Sequence, residues 1–539
     1  MMGWERHLII LPILLPLATG AVLLLVNELR HALKAAVSLV SALALVGIAV
    51  ALMRMADAGG AQSSAYAVGS WPAPFAIVLV LDRLSALMLA LVAVLAVAAL
   101  VFSLARWHRA GPHFHSLFQF LLMGLAGAFL TGDLFNLFVF FEVTLAASYG
   151  LLLHGSGNFR VRSGLHYVAV NLAASLLFLI GVSLIYGAAG TLNMADLAVR
   201  LPGLAAENRT LLQVGAAILG VAFLVKAGMW PLCFWLPSAY MAAAAPVSAI
   251  FVLLTKVGVY VLLRLTLLLF GGGPGDLAGF GGTVLLWGGM ATVAFATCGM
   301  LSAQALGRLA GYSVLVSSGT LLAAVGLGSP PVVSGALFYL VSSTLGTAAL
   351  FMLIELVERA REPGADLLTV TMEAYGVDGD VEEKEEEVGM VMPGAVAVLG
   401  VCFGGVALLL AGLPPLSGFI AKFAMLTAMM SPDGLGAAAP IPARVWLLTA
   451  LVILSGLAAL VAMMRAGIHT FWAPLETIVP RALVVEVAPV VMLLALCLAL
   501  TIGGGAVIDY TGATARSLHD PAGYVRGVLG ADSAGGAVE

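Results

Sequence analysis

Four ionisable side chains lie in strongly apolar surroundings. Glu142 sits in Phe140-Phe141-Glu142-Val143, Lys226 in Leu224-Val225-Lys226-Ala227, Lys256 in Leu254-Thr255-Lys256-Val257 and Lys422 in Ile420-Ala421-Lys422-Phe423. Along a helix, Glu142 falls about 12 Å and Lys256 about 15 Å into its apolar run, at 1.5 Å per residue. An unpaired charge at such depth costs several kcal/mol, so these residues pair or line water, and function is the default reading. Burial and a nearby opposite charge push proton affinity in opposite directions. A buried Glu–Lys pair can therefore be balanced so that breaking it releases a proton. Lysine suits this exchange better than arginine, which stays protonated. The plainer alternative is a set of structural ion pairs, and the depth weighs against it.

Other candidates carry less. Asp133 stands at a helix start, where a carboxylate can cap free N–H groups or take up protons. Asp82-Arg83 opens a span and reads as a local pair at the interface. Arg264 follows Lys256 by eight residues and either repels it or reaches the outer interface. His113 and His115 read as solvated loop residues, and Glu355, near a span end, as reaching water. Cys233, Cys298, Cys402 and Cys497 form no CxxC or Cys/His cluster, which argues against disulfides, iron–sulfur clusters and zinc.

The elements that must position these charges follow from composition. The 539 residues are 62% hydrophobic and only 10% charged. Too few charges exist to cover a water-facing surface, so most of the outside must face lipid. A net charge of -4 gives no nucleic-acid footprint. Apolar runs of about 20 residues recur along the whole chain, each long enough to span. The first, 8–26, reads as a transmembrane helix rather than a signal peptide. We expect an all-α polytopic membrane protein of about fourteen transmembrane helices, since only helices close their own backbone bonds in runs of this kind. Lys and Arg are commoner on the face carrying Arg30, Lys34, Arg106, Arg160 and Arg465, which predicts that both termini lie outside.

Two runs, 210–245 and 395–430, are too long for one straight span. Each would make a helix of ~54 Å against a hydrocarbon core of ~30 Å. Each is broken by proline, Pro231 and Pro237 in the first and Pro414 and Pro415 in the second. Proline removes a donor and frees a carbonyl one turn earlier. Freed backbone groups at membrane depth survive only in protein or in a wet cavity. Two broken segments in two halves, each with a lysine near the break, predict an internally repeated transporter with its ion path beside them. The expected organisation is helices 1–3 over 1–110, a first repeat of helices 4–8 over 111–270, a second of helices 9–13 over 271–465, and helix 14 with a polar tail over 466–539. The second repeat carries an acidic insert at 358–390, read as a solvated loop. The tail after Gly505 reads as loose or docked on a neighbour.

These segments carry a resemblance. The run Gly132-Asp133-Leu134-Phe135-Asn136-Leu137-Phe138 through Glu142-Val143 resembles the fifth helix of the antiporter-like subunits shared by respiratory complex I, membrane-bound hydrogenases and Mrp-type antiporters. Phe223-Leu224-Val225-Lys226-Ala227-Gly228-Met229-Trp230-Pro231 is similar to their broken seventh helix. Val252-Leu253-Leu254-Thr255-Lys256-Val257-Gly258 is similar to the eighth, and Leu413-Pro414-Pro415-Leu416-Ser417-Gly418 through Lys422 to the twelfth. Within the family the chain looks most like the D-type subunits of Mrp sodium/proton antiporters.

The resemblance implies two inverted repeats of five helices. It also implies a Glu142–Lys226 pair gating a proton path, Lys256 as the next relay and Lys422 as the terminal exchange site. Where relatives often carry His or Lys on the tenth and eleventh helices, this chain has Ser317, Tyr339, Ser343 and Thr347. Hydroxyls order water but do not titrate near neutrality, so water would bridge Lys256 to Lys422. The implied setting is a bacterial inner membrane, with protons and sodium or potassium as the ions and no cofactor. The implied partners are other Mrp subunits, with those of the A and C types as neighbours. A redox-driven pump and a structural scaffold are the rival functions.

Overall fold

The structure, a computed structural model, describes residues 5–71, 73–75, 77–271, 277–359, 393–431, 440–471 and 483–530. The acidic insert at 358–390 lies almost wholly outside them. The first membrane helices are α1 (Leu11–Leu25), α2 (His31–Ala58) and α3 (Arg83–Ser103). Then come α4 (Phe114–Leu130), α5 (Leu134–Leu152), α6 (Asn158–Ala189), the short α7 (Met194–Arg200), α8 (Ala206–Ala227), α9 (Trp235–Ala242) and α10 (Ala245–Phe270). The second half holds α11 (Gly282–Ser302), α12 (Leu306–Leu327), α13 (Pro330–Arg359), α14 (Pro393–Ala411), α15 (Ser417–Met430), α16 (Ala443–Phe471) and α17 (Val484–Ile502). Two helices close the chain, α18 (Gly504–His519) and α19 (Pro521–Leu529).

Eleven of the described helices are long and apolar enough to cross a membrane. The shorter apolar helices α1, α4, α14 and α15 supply the other expected spans. Both proline-broken segments are broken: α8 and α9 flank the first gap, α14 and α15 the second. The order α4, α5, α6, α8–α9, α10 is matched by α11, α12, α13, α14–α15, α16, with the fourth member interrupted each time. Five spans is an odd number, so the second set starts from the opposite face.

Small residues bring the helices together, as expected where lipid supplies no hydrophobic drive. A Cβ on Gly181 of α6 would lie 2.7 Å from the Leu219 backbone nitrogen of α8. One on Gly289 of α11 would lie 2.5 Å from the Ala323 nitrogen of α12. Helices α10 and α13 run through the middle, and α13 touches α10, α12, α14, α15, α17 and α18.

Two expectations need correction. The apolar run 76–105, expected as the third span, is not helical throughout. Val78–Leu81 is a strand, β2, paired antiparallel with β1 (Ser64–Ala67) in register Ser64↔Leu81. The helix starts only at Arg83, because Asp82 caps it in a reciprocal box with Ser85. The tail, too, docks on its own chain. The Tyr510 hydroxyl donates to the Arg83 carbonyl at 2.9 Å, and His519 Nε2 lies 2.8 Å from the Gly328 carbonyl oxygen.

Candidate functional site

The first gap follows Lys226. Gly228, at φ 73°, ends α8 in the left-handed conformation that glycine adopts without a Cβ clash. Pro231 falls inside the gap, and Pro237 in the first turn of α9, where no helical donor is lost. Lys226 is buried. Its Nζ donates to Asn171 Oδ1 of α6 at 2.5 Å and stands 4.1 Å from the centre of the Phe141 ring. The Ser175 hydroxyl, one turn further along α6, donates to the Glu142 carboxylate. Glu142 is half-buried, on the α5 face shared with the exposed Phe135 and Val139.

The expected direct Glu142–Lys226 ion pair is therefore not made. Asn171 and Ser175 occupy the rungs between them, and the aromatic face of Phe141 takes up the rest of the ammonium. Sequence reading missed both residues. Their only signal was two polar side chains four apart, hence on one face, in a long apolar helix.

Lys256 is fully buried on α10. The two lysine-bearing helices meet beside these residues: a Cβ on Gly258 would lie 2.7 Å from the Ala227 nitrogen. Lys256 Nζ donates to Ser317 Oγ at 2.7 Å, and Ser317 and Ser343 share a hydrogen bond of 2.9 Å. These hydroxyls open on a cavity of ≈ 20 Å³ lined also by Tyr339, Thr347, Ser342, Ser455 and Leu410. That volume admits about one water. All four hydroxyl residues singled out from the sequence thus face one space. Ser342 also bonds Ser417, the first residue of α15, at 2.8 Å.

Lys422 closes the row from the other side. Its Nζ donates to the Leu410 and Ala411 carbonyls, each at 3.0 Å. In a continuous helix those oxygens would accept from residues 414 and 415. Both are proline and have no N–H. The ammonium thus meets the two acceptors that Pro414 and Pro415 strand. Glycine makes the room: a Cβ on Gly456 would lie 3.2 Å from Lys422 Nζ. Lys226 and Lys422 are not strict counterparts, since one precedes its gap and the other follows. None of Lys226, Lys256 and Lys422 has a carboxylate within 4.0 Å among the described residues.

The other ionisable residues singled out from the sequence have surroundings of their own. Asp133 caps α5, accepting from the Phe135 and Asn136 nitrogens at 2.8 and 2.9 Å. Asp82 pairs not with Arg83 but with the buried Arg264 of α10, while Arg83 turns to Asp57 at 3.1 Å. The cap geometry turns the two neighbouring side chains to different partners. Glu355 does not reach water freely. It accepts from Arg106 and Arg359 at 2.7 Å each, from Trp107, and from the first nitrogen of α10. Arg359 also reaches the buried Glu486 at 2.7 Å. His113 is exposed against Glu28 at 2.8 Å. His115, expected in solvent, is buried with both ring nitrogens unpartnered. No group of three or more metal-ligating side chains and no disulfide is found among the described residues.

A helical membrane protein with two interrupted helices and a row of buried lysines defines the antiporter-like class. Residues 131–439 match the family described as NADH:quinone oxidoreductase/Mrp antiporter, TM, and the chain belongs to that family. It is 61% identical over 538 residues to the D-type subunit of a probable K(+)/H(+) antiporter of Rhizobium meliloti, covering 99% of this chain and all of that one. It is 33% identical over 531 residues to the D-type subunit of a Na(+)/H(+) antiporter of Alkalihalophilus pseudofirmus, covering 97% of this chain and 99% of that one. Its fold matches a chain of the Mrp complex from Dietzia sp. at a TM-score of 0.82 and 26% identity, over 98% of this chain and 100% of the other. The fold also matches a chain of respiratory complex I from Thermus thermophilus at 0.73 and 23% identity, over 95% of this chain and 99% of that one.

Proposed function

We propose that this chain is the proton-translocating, D-type membrane subunit of a multisubunit Mrp sodium or potassium/proton antiporter. It is a transporter subunit rather than an enzyme, and it works without a cofactor. Relatives of nearly full length carry names of that kind, and the one at 61% identity supports potassium alongside sodium.

The observation that carries the proton path is the hydroxyl-lined cavity between Lys256 and Lys422. Lys256 donates into its wall through Ser317, and Leu410 both lines it and accepts from Lys422. One water there reaches Lys256 through the Ser317 and Ser343 hydroxyls, which need not titrate, and meets the Leu410 carbonyl that accepts from Lys422. At the other end Glu142 takes and gives protons. When it is neutral its pull on Lys226 is lost, and the Lys226 proton moves on toward Lys256. Asn171 and Ser175 hold the two groups apart in the resting state, so the pair is poised rather than locked.

The half-buried Glu142, on a face with exposed Phe135 and Val139, fits a site covered by a neighbouring subunit. We assign the neighbours as Mrp subunits of the A and C types. The setting is a bacterial inner membrane with both termini outside, as the basic loops imply. The carboxylates near the row are too few to surround a cation, so the cation crosses at a partner or an interface.

Everted vesicles carrying the whole complex test the reading. Glu142→Gln should abolish cation-driven alkalinisation while the complex assembles; full antiport would refute the path. The fold likeness to a chain of a membrane-bound sulfane sulfur reductase, 25% identical, supports a second reading as a pump subunit of a redox-driven complex. Purifying the complex separates the two: redox subunits would then accompany this chain.

A further inference from the structure

The charge row needs a route by which Glu142 meets the aqueous phase. Tyr149 follows Glu142 by seven residues on α5, two turns along one face and about 10 Å along the axis. It stands three residues before the last residue of α5, Leu152, and so lies between Glu142 and the membrane face. Helical side chains lean toward the N-terminus, which carries the phenol back toward Glu142.

That hydroxyl is buried and has no hydrogen-bond partner. Other buried tyrosines have satisfied hydroxyls. Tyr167 of α6 meets the Tyr149 ring edge-on at 5.6 Å, and its hydroxyl bonds Ser148 at 2.8 Å. Tyr240 and Tyr260 each donate to a backbone carbonyl at 2.7 Å. Among the described residues Tyr149 is the one tyrosine whose buried hydroxyl has no partner. A buried polar group left unmet is costly and calls for an explanation such as bound water. Phenylalanine would fill the same space without that cost.

We propose that Tyr149 is a relay residue whose hydroxyl holds the water through which Glu142 exchanges its proton with the aqueous phase at the face where α5 ends. This rests on the reading of Glu142 as the proton-carrying carboxylate. In each transfer a water proton passes to the phenol oxygen as the phenol's own proton passes through a second water to the carboxylate. The phenol is neutral before and after, the first water is left as hydroxide that the bulk phase reprotonates, and no reactant but water is needed. The titratable groups facing Tyr149 are Glu142 from its own helix and Tyr167 from α6. His154, just beyond the helix end, is held by the Trp107 carbonyl at 2.8 Å.

The test sets Tyr149→Phe beside Glu142→Gln in the whole complex, in everted vesicles from pH 6.5 to 9.5. Complex abundance and melting temperature are read in parallel. Tyr149→Phe should assemble normally and melt at the same temperature or higher. Its antiport rate should fall on the order of tenfold or more, the scale of a positioned proton transfer, with the largest loss at the alkaline end where protons are scarce. A wild-type rate and pH profile in Tyr149→Phe, with Glu142→Gln inactive, overturns the relay and spares the path. Lost assembly at an unchanged rate per complex also overturns it, since the hydroxyl would then serve a subunit contact. Glu142→Gln at wild-type rate removes the path, and the relay with it.

Discussion

The two hydrogen bonds from Lys422 to the Leu410 and Ala411 carbonyls make a quantitative claim. Both are 3.0 Å and both acceptors are stranded by proline. A hydrogen bond from a charged donor contributes about 1.5–3 kcal/mol. Lys422→Met removes both bonds and also the ammonium's own burial cost, which is several kcal/mol. The single-variant effect is thus a difference of large quantities. The coupling is cleaner. With Pro414→Ala and Pro415→Ala, two backbone N–H groups return and can meet the same carbonyls. The cost of Lys422→Met should then shrink by about 2–3 kcal/mol relative to the proline background, within the range of contacting residues. Thermal or denaturant unfolding of the purified complex measures all four corners of the cycle. Antiport should be lost in every variant lacking Lys422. Costs that simply add, within about 0.5 kcal/mol, would refute the claim that the ammonium caps the stranded carbonyls.

Other outcomes follow from the same geometry. Ser317→Ala removes the acceptor of Lys256 Nζ and one wall of the cavity. Antiport in vesicles should fall on the order of tenfold or more, and Ser317→Thr should restore most of it. His108 lies in the connection between α3 and α4. Burial first, then Arg109 and His31, push its pKa down to about 4. Between pH 6.5 and 4 the unfolded chain binds the proton that the folded chain refuses. The stability is complete above pH 6.5 and falls as the pH drops through that window, with a slope of at most about 1.4 kcal/mol per pH unit. His108→Gln should flatten that part of a melting-temperature profile.

Much of the architecture could be read from the chain because hydrophobicity and proline act locally. An apolar run of about 20 residues has few options but to span. Pro231 and Pro414-Pro415 break their helices whatever surrounds them, because the missing donor is covalent. Depth singled out Lys256, the proline breaks singled out Lys226 and Lys422, and the family resemblance pointed to the hydroxyl set of Ser317, Tyr339, Ser343 and Thr347.

Hydrogen-bond partners were another matter. The sequence places Glu142 and Lys226 in spans, but which groups meet depends on how each helix is rotated. One residue turns a side chain by about 100° at 3.6 residues per turn. That rotation is set by close packing such as Gly181 on α8, which aims Asn171 and Ser175 at the two charges and keeps them apart. The same cause sends Asp82 to Arg264, 182 positions away, and buries His115. The sequence by itself determined the spans, the breaks and the rare charges. Only the tertiary structure decided what each charge touches, because hydrogen-bond partners depend on the relative rotation of helices that no local run encodes.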